Sequence, residues 1–92
     1  MIGYAECVFR ISEAHSLKEK RAVLQRTLSR LRQKFNVSAG EIDHQDAWQL
    51  AGIGLAAVSS SRLAAEREIE NAIAFLDSFP EWERTDTIYE WL

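Results

Sequence analysis

The residues of this sequence best suited to chemistry stand together in one short segment. Two carboxylates and an imidazole occur within four residues at Asp43, His44, Gln45 and Asp46, a composition typical of metal binding or of general acid and base catalysis. On an extended segment, however, Asp43 and His44 point to opposite faces, and His15 is the only other imidazole. A turn whose side chains bond their own backbone also accounts for the two aspartates. We favour that turn or a docking loop, and we expect no catalytic residue, metal or cofactor.

Anion binding is the second chemistry that the sequence indicates, at the start of a basic segment. Lys18, Lys20 and Arg21 stand in the first turns of a predicted helix, where the positive end of the helix dipole disfavours each base by about 0.3 to 1 kcal/mol. A phosphate bound at the free backbone amides that follow His15 and Ser16 would reverse this penalty, and the backbone of RNA supplies phosphates. The candidate residues for this site are His15, Ser16, Lys18, Lys20, Arg21, Arg26, Arg30 and Lys34.

The charge of the whole chain limits this interpretation. The 92 residues carry 11 Lys and Arg against 14 Asp and Glu, a net charge of -3, which argues against indiscriminate binding of nucleic acid. Residues 1–34 nevertheless hold 8 basic and 3 acidic side chains, whereas residues 35–92 hold 3 and 11. Two alternatives therefore remain open. The basic face is a solvated surface, or it pairs with acidic side chains of the second predicted helix, which are Glu66, Glu68, Glu70 and Asp77.

Alternating and helical spacings define the first two elements that position these residues. Residues 2–11 alternate as a strand, and the apolar row from Gly3 to Ile11 is expected to face the core. Ser16 and Glu19 form a capping box that begins a helix. The apolar stripe of that helix consists of Leu17, Leu24, Leu28, Leu31 and Phe35. The side opposite the stripe is expected to carry Lys18, Arg26, Arg30 and Lys34.

The remaining elements complete a familiar order. Residues 36–43 and 48–59 are two extended segments joined by the polar run from His44 to Ala47, which predicts a hairpin with Trp48 as its buried anchor. Three serines at residues 59–61 precede a second amphipathic helix, whose apolar positions are Ala65, Ile69, Ala72, Ile73 and Leu76. Pro80 ends that helix, and residues 85–92 alternate again after a linker through Trp82.

The order βαββαβ predicts one α+β domain over residues 1–92. Two right-handed crossovers in this order give the ferredoxin-like split βαββαβ fold, with a four-stranded antiparallel sheet and both helices on one face. The uncovered face is expected to be apolar, because the third strand is apolar on both rows, and Tyr4 and Val8, with Tyr89 or Trp91, would extend it. An exposed apolar patch usually marks a contact surface. We therefore expect a homodimer that buries this face, unless linker and tail residues fold over it.

Several classes of protein and of recognition are disfavoured by simple features. No stretch approaches the ~20 apolar residues of a membrane helix, and residues 1–11 lack the basic start and apolar run of a secretory signal. Cys7, the only cysteine, is expected to fill the core. Base reading by paired aromatic rings on the sheet is not expected, since Tyr4 and Phe9 point to opposite faces. We expect a cytoplasmic protein with no membrane contact and no small-molecule substrate.

Two segments carry a family resemblance. The run AHSLKEKR from Ala14 to Arg21 and the run DHQDAWQ from Asp43 to Gln49 resemble the YlxP-like family, small bacterial proteins classed as a domain of unknown function. The resemblance covers the whole chain and implies a ferredoxin-like fold. It also implies a link with translation, because members are commonly encoded among transcription-elongation, translation-initiation and ribosome-maturation factors. The family pattern falls on residues 15–21 and, in the hairpin, on Asp43, His44, Gln45, Asp46, Trp48 and Gln49, and no catalytic role is implied for it.

These features lead to one expected function and one alternative. We expect a non-enzymatic binding module, associated with the translation machinery, that contacts ribosomal RNA or a ribosome-associated protein through the basic first helix. The alternative is a protein-interaction or structural homodimer that uses the apolar open face and binds no nucleic acid.

Overall fold

The chain forms four strands and two helices, in the order that the spacings predict. The computed structural model describes all residues from 1 to 92, with β1 at Ile2–Ile11, α1 at Leu17–Lys34, β2 at Ser38–Asp43, β3 at Leu50–Val58, α2 at Arg62–Asp77 and β4 at Trp82–Trp91. The strands make one antiparallel sheet in the order β2-β3-β1-β4, and both helices cover the same face. The prediction of a ferredoxin-like α+β fold is confirmed.

The core lies between the helices and the two central strands, β1 and β3. The row of β1 that starts at Gly3 and ends at Ile11 is buried, as predicted, and Phe9 and Ile53 are fully inaccessible to solvent. In β3 every second residue from Ala51 to Ala57 joins this core. Cys7 is free and buried here, and burial raises the pKa of its thiol above the ordinary value.

Both helices begin at the predicted caps and bury the predicted stripes. The Ser16 hydroxyl accepts a hydrogen bond from the Glu19 amide at 3.1 Å, and Ser61 caps α2 in the same way. All five predicted apolar positions of α2 are buried. In α1, Leu24, Leu28 and Leu31 are buried, while Leu17 and Phe35 at its two ends are only half-buried. These faces pack on the sheet and leave the opposite sheet face without a helix.

The last strand differs from the sequence prediction in where it begins and in where its aromatic side chains point. β4 begins at Trp82, which was expected in a linker; it is buried and packs edge to face on Phe9 at 5.1 Å. Pairing of Trp91 with Gly3 and of Tyr89 with Ala5 puts both aromatic rings on the helix side. The expectation that they extend the open face was therefore wrong. Trp91 lies so close over Gly3 that a Cβ there would come within 2.5 Å of the indole.

A bulge in β2 shapes the hairpin that joins β2 to β3. The pairing register shifts between Glu41 and Asp43, and Asp43 crosses directly over Gly52 in the neighbouring strand. A Cβ at Gly52 would lie 2.7 Å from the Cβ of Asp43 and 3.2 Å from its backbone. The close approach therefore requires glycine at this position.

No helix of the protein combines the length and the apolar character that crossing a membrane requires. The cytoplasmic location stays a prediction.

Candidate functional site

The two segments that carry the family pattern meet at one end of the molecule. The Gln49 side-chain amide donates to the carbonyl of Ala14 at 3.1 Å, and the Gln49 carbonyl accepts from the Ile11 amide at 2.8 Å. The start of α1 and the hairpin turn therefore share one surface, which we call the hairpin end. It comprises residues 12–21 and 43–49.

Lys20 ties these two segments together from the inside. Its side chain is 1% exposed, and its Nζ atom donates to the His44 carbonyl at 2.6 Å and pairs with Glu41 Oε2 at 2.8 Å. The Glu41 Oε2 atom is buried and has no polar partner apart from this ammonium group. The expectation that Lys20 surrounds an anion at the surface was therefore wrong, because its charge is already neutralised below the turn.

The sequence contains a signal that would have identified this buried lysine. The apolar stripe of α1 has a step of seven between Leu17 and Leu24, and Lys20 occupies the missing position. Glu41, two residues after inward-facing Ala39, supplies the matching acid from β2. Sequence reasoning missed Glu41 because an acid in a short edge strand is ordinarily a solvent-facing residue.

The turn interpretation is confirmed for Asp43, which bonds the backbone of the turn, but not for Asp46, which makes no side-chain hydrogen bond. Asp43 Oδ1 accepts from the His44 amide at 2.8 Å, whereas its Oδ2 lies 3.9 Å from the His44 ring. His44 adopts a left-handed backbone conformation with φ of 61°, and its carbonyl accepts from Ala47 as well as from Lys20. No three His, Cys, Asp or Glu side chains lie close enough together to hold a metal ion. This geometry gives the metal-site alternative no support.

Two backbone amides at the start of α1 remain without acceptors. Ser16 takes the Glu19 amide, and the Glu19 carboxylate takes the His15 amide at 3.0 Å. The amides of Leu17 and Lys18 have no hydrogen-bond partner in the protein. His15 is exposed beside them, so this helix start presents free donors to solvent.

Four of the exposed bases of α1 contact other parts of the protein. The Arg30 guanidinium lies 5.4 Å from the Phe79 ring centre, and Lys34 Nζ lies 5.4 Å from that of Phe75. Arg26 approaches Glu13 at 3.5 Å, and Arg32 donates to a carbonyl of β2 at 2.8 Å. Arg30 and Lys34 thus turn toward α2 and the residues that follow it instead of standing opposite the apolar stripe, because the rings of Phe75 and Phe79 attract their charges.

Lys18 and Arg21 are the two bases of α1 that contact no other side chain or carbonyl. Both are exposed, and neither takes part in an ion pair, a side-chain hydrogen bond or an aromatic contact. The acids of α2 do not reach them. Glu66 pairs with Arg62 within α2, and Asp77 pairs with Arg84 of β4 at 3.0 Å. Pairing with α2 therefore does not explain the basic face.

Trp48 is exposed, and its expected role as a buried anchor was wrong. Its exposed fraction is 54%, because β3 begins only at Leu50 and the space under the turn is filled by Lys20 and Glu41. The hairpin end thus presents an indole as well as two free cations.

An open depression of about 590 Å³ lies elsewhere, along β4. Its lining residues are Asp77, Trp82, Arg84, Thr85, Asp86 and Thr87. The Arg84 guanidinium donates to both oxygens of Asp77, at 3.1 and 3.0 Å, and this hydrogen bonding raises the pKa of Arg84. The guanidinium of Arg84 is thus already paired with Asp77. None of the predicted site residues lines this depression.

Comparison with known proteins agrees with the resemblance seen in the two segments. A family model described as "Protein of unknown function (DUF503)" matches residues 2–89. The chain is 59% identical over 91 residues to "Uncharacterized protein YlxP" of Bacillus subtilis (strain 168), covering 99% of each chain. The chain therefore belongs to the DUF503 family, the group that contains YlxP.

Proposed function

We propose that this protein is a non-enzymatic binding module of the translation machinery that contacts the phosphate backbone of ribosomal RNA through α1. The supporting observation is the pair Lys18 and Arg21. Both cations stand where the helix dipole disfavours them, and nothing within the protein compensates for that cost. The positive charge of Lys20 is compensated by Glu41 within the protein. Those of Lys18 and Arg21 would be compensated by an anion from outside it. The free amides of Leu17 and Lys18 add donors at the same place.

The rest of α1 extends this surface with weaker contributions. Arg26, Arg30, Arg32 and Lys34 are all exposed, and their partners in the protein leave part of each charged group in contact with solvent. For Arg30, Arg32 and Lys34 the partner is an aromatic ring or a carbonyl, which does not neutralise a cation as a carboxylate does, and the pair of Arg26 with Glu13 is long, at 3.5 Å, and exposed. A phosphate chain that runs along α1 would therefore meet several positive charges in succession.

Co-sedimentation with small ribosomal subunits at low and moderate salt tests the proposal. The variant Lys18→Glu/Arg21→Glu should lose binding, whereas Arg62→Glu/Arg67→Glu, which changes the net charge equally, should keep it. Arg62 and Arg67 are exposed on α2, and α2 begins after Val58, at the end of the sheet opposite to the hairpin end. Wild-type protein that never sediments with subunits, or equal losses in both variants, would contradict RNA contact through α1. Binding that persists when the ribosomal RNA surface is digested would move the contact to a ribosome-associated protein.

A homodimer through the open face is the alternative function. Its support is the set of exposed apolar side chains on that face, among them Val58 at 67% and Ile88 at 56% exposure. Its weakness is the charge of the same face, which carries unpaired carboxylates that a symmetric partner would duplicate. Sedimentation equilibrium at micromolar concentration decides between a dimer and a monomer. An Ile88→Lys variant should abolish a dimer of this kind.

A further inference from the structure

The open face of the sheet has an apolar centre. Residues that pair across the strands point to the same side, so the register assigns each side chain to a face. Ile42, displaced by the bulge, lies with the Tyr4 hydroxyl over Gly54, within 3.1 to 3.3 Å of where its Cβ would be. The apolar side chains of this face are Ile2, Tyr4, Val8, Ile42, Leu50, Ala56, Val58 and Ile88.

Carboxylates lie within and around this centre, with one acid in the middle of β1 and four on the edge strands β2 and β4. Five acids point to the same face, and Arg10 is the only base among them. No acid of the five lies within 4.0 Å of a Lys or Arg nitrogen. The acids of the open face are Glu6, Asp43, Glu83, Asp86 and Glu90.

The Tyr4 phenol lies in the negative potential of these acids. Its pKa is raised above the ordinary value by burial, and the charges of Glu6 and Glu90 raise it further. A phenol resists ionisation beside like charges. The chemistry of the face is therefore that of an apolar surface in a negative potential.

Two occupants fit this face poorly. A second copy in symmetric face-to-face contact would bring ten carboxylates together against two arginines, and like charges at an interface cost several kcal/mol. A nucleic acid would place its phosphates against the same acids. For a second copy and for a nucleic acid alike, this repulsion would oppose any contact with the apolar centre.

We propose that the open face is the docking site of a basic amphipathic helix from a partner protein. The other face of this sheet already binds two amphipathic helices, which is the usual way a sheet face becomes buried. Strands of 9 and 10 residues make a face about 30 Å long, the length of a helix of about 20 residues. Leucine-type side chains of the partner occupy the apolar centre, and its lysines and arginines pair with the five acids. Gly52 and Gly54 let Asp43, Ile42 and Tyr4 lie close over β3 in the middle of this face.

A synthetic peptide serves as the probe. We would use an 18-residue helix of leucine and lysine with leucine at positions i, i+3, i+4 and i+7, which is the spacing of an amphipathic face. One control peptide replaces every lysine by glutamate, and a second has the same composition in an order without a face. Binding is measured by calorimetry, and the contacted residues are located by amide chemical shifts of the labelled protein.

We expect the leucine-lysine peptide to bind at least tenfold more tightly than either control. Shifts should concentrate at Tyr4, Val8, Ala56 and Ile88. The variant Glu6→Lys/Glu90→Lys should weaken binding at least tenfold, and Ile88→Ser, at an exposed position, should weaken it without a change of charge. The shift spectrum of each variant reports whether it is folded.

Three results would overturn the proposal. These are equal binding of the control peptides, shifts confined to α1 or the hairpin end, and a second copy already seated on the face in sedimentation experiments. The inference does not rest on RNA contact through α1. The variant Lys18→Glu/Arg21→Glu should bind the peptide as the wild type does, so the two proposals stand or fall separately.

Discussion

Lys20 shows how one residue changes its meaning between sequence and structure. In the sequence it is one of several bases at the start of a helix. In the fold it is 1% exposed and fastens α1 to the hairpin through Glu41 and the His44 carbonyl. An ammonium group can be buried in this way only with a paired charge and hydrogen bonds. The arrangement fixes the hairpin end and leaves Lys18 and Arg21 as its free cations.

Replacement of Lys20 by methionine should destabilise the protein by about 3 kcal/mol, because Glu41 would keep a buried carboxylate without its partner. Urea denaturation measures this loss. Lys18→Met, the same substitution at an exposed position of the same helix, should change stability by less than about 0.5 kcal/mol. Adding Glu41→Gln to Lys20→Met should recover part of the loss. Equal effects of the two single substitutions would show that Lys20 makes no stabilising pair.

The Tyr4 phenol gives a prediction about charge. Burial, and then the Glu6 and Glu90 carboxylates, raise the pKa of Tyr4 above its ordinary value, so Glu6→Gln/Glu90→Gln should lower the pKa by the share that the carboxylates contribute. Absorbance titration of the phenolate measures the shift, in a Tyr89→Phe background so that Tyr4 is the only tyrosine. A pKa that does not fall in the double variant would mean that burial alone sets it.

At the scale of elements, periodicity in the sequence was sufficient to predict most of the fold. Alternation in β1, the capping box of α1 and the helical spacing of α2 each depend on a few neighbouring residues, so they are visible in the sequence. Trp48 was expected to be buried and Trp82 to lie in a linker, and both predictions were wrong, because the burial of an indole depends on what lies beneath it in three dimensions. Phe9 receives Trp82, whereas Lys20 fills the space that Trp48 was expected to take.

The candidate site was predictable only in part, for a related reason. The two family segments were recognisable as patterns, but their contact through Gln49 and Ala14 joins residues that are 35 positions apart. The directions of Arg30 and Lys34 depend on aromatic rings at the end of α2 and just after it. Helical spacing alone places a side chain on a face but not against its tertiary partner.

The hairpin offers a prediction at this scale. Gly52→Ala should separate β2 from β3, because the new Cβ would lie 2.7 Å from Asp43 and 3.2 Å from backbone atoms that cannot rotate away. We expect a loss of about 2 kcal/mol and faster amide exchange in β2. Gly40→Ala in the same hairpin meets nothing within 4 Å and should stabilise the strand by about 0.5 kcal/mol. Similar thermal unfolding of both variants would contradict the close approach.

In the whole molecule, the basic and the acidic side chains lie on different surfaces. Basic side chains lie along α1, and unpaired carboxylates lie on the opposite, open face of the sheet. The net charge of -3 therefore describes neither surface. If both proposals hold, one small domain would bind a polyanion and a basic protein on separate surfaces.

Salt dependence tests the basic surface as a unit. If about four bases of α1 neutralise phosphates of a single strand, the logarithm of the RNA affinity should fall with the logarithm of salt concentration with a slope of about -3. Removing Lys18 and Arg21 should reduce that slope to about -1.5. Fluorescence anisotropy with a labelled oligonucleotide measures both. A slope near zero in the wild type, or no change in the variant, would exclude a phosphate contact of this kind.

The central position of β1 in the sheet also has a consequence for how the chain folds. β1 comes first along the chain, yet its two neighbours are β3 and β4, so Tyr4 must find Ala56 and Glu90. Closing such long loops is slow. Until β3 and β4 have formed, the apolar row of β1 is therefore not covered by its native neighbours. Glu6 and Arg10 interrupt that strand with charge, and charges within an apolar strand hinder its pairing with other chains. Glu6 and Arg10, which lie on the open face of the sheet, thus help to protect β1 from aggregation before β3 and β4 pair with it.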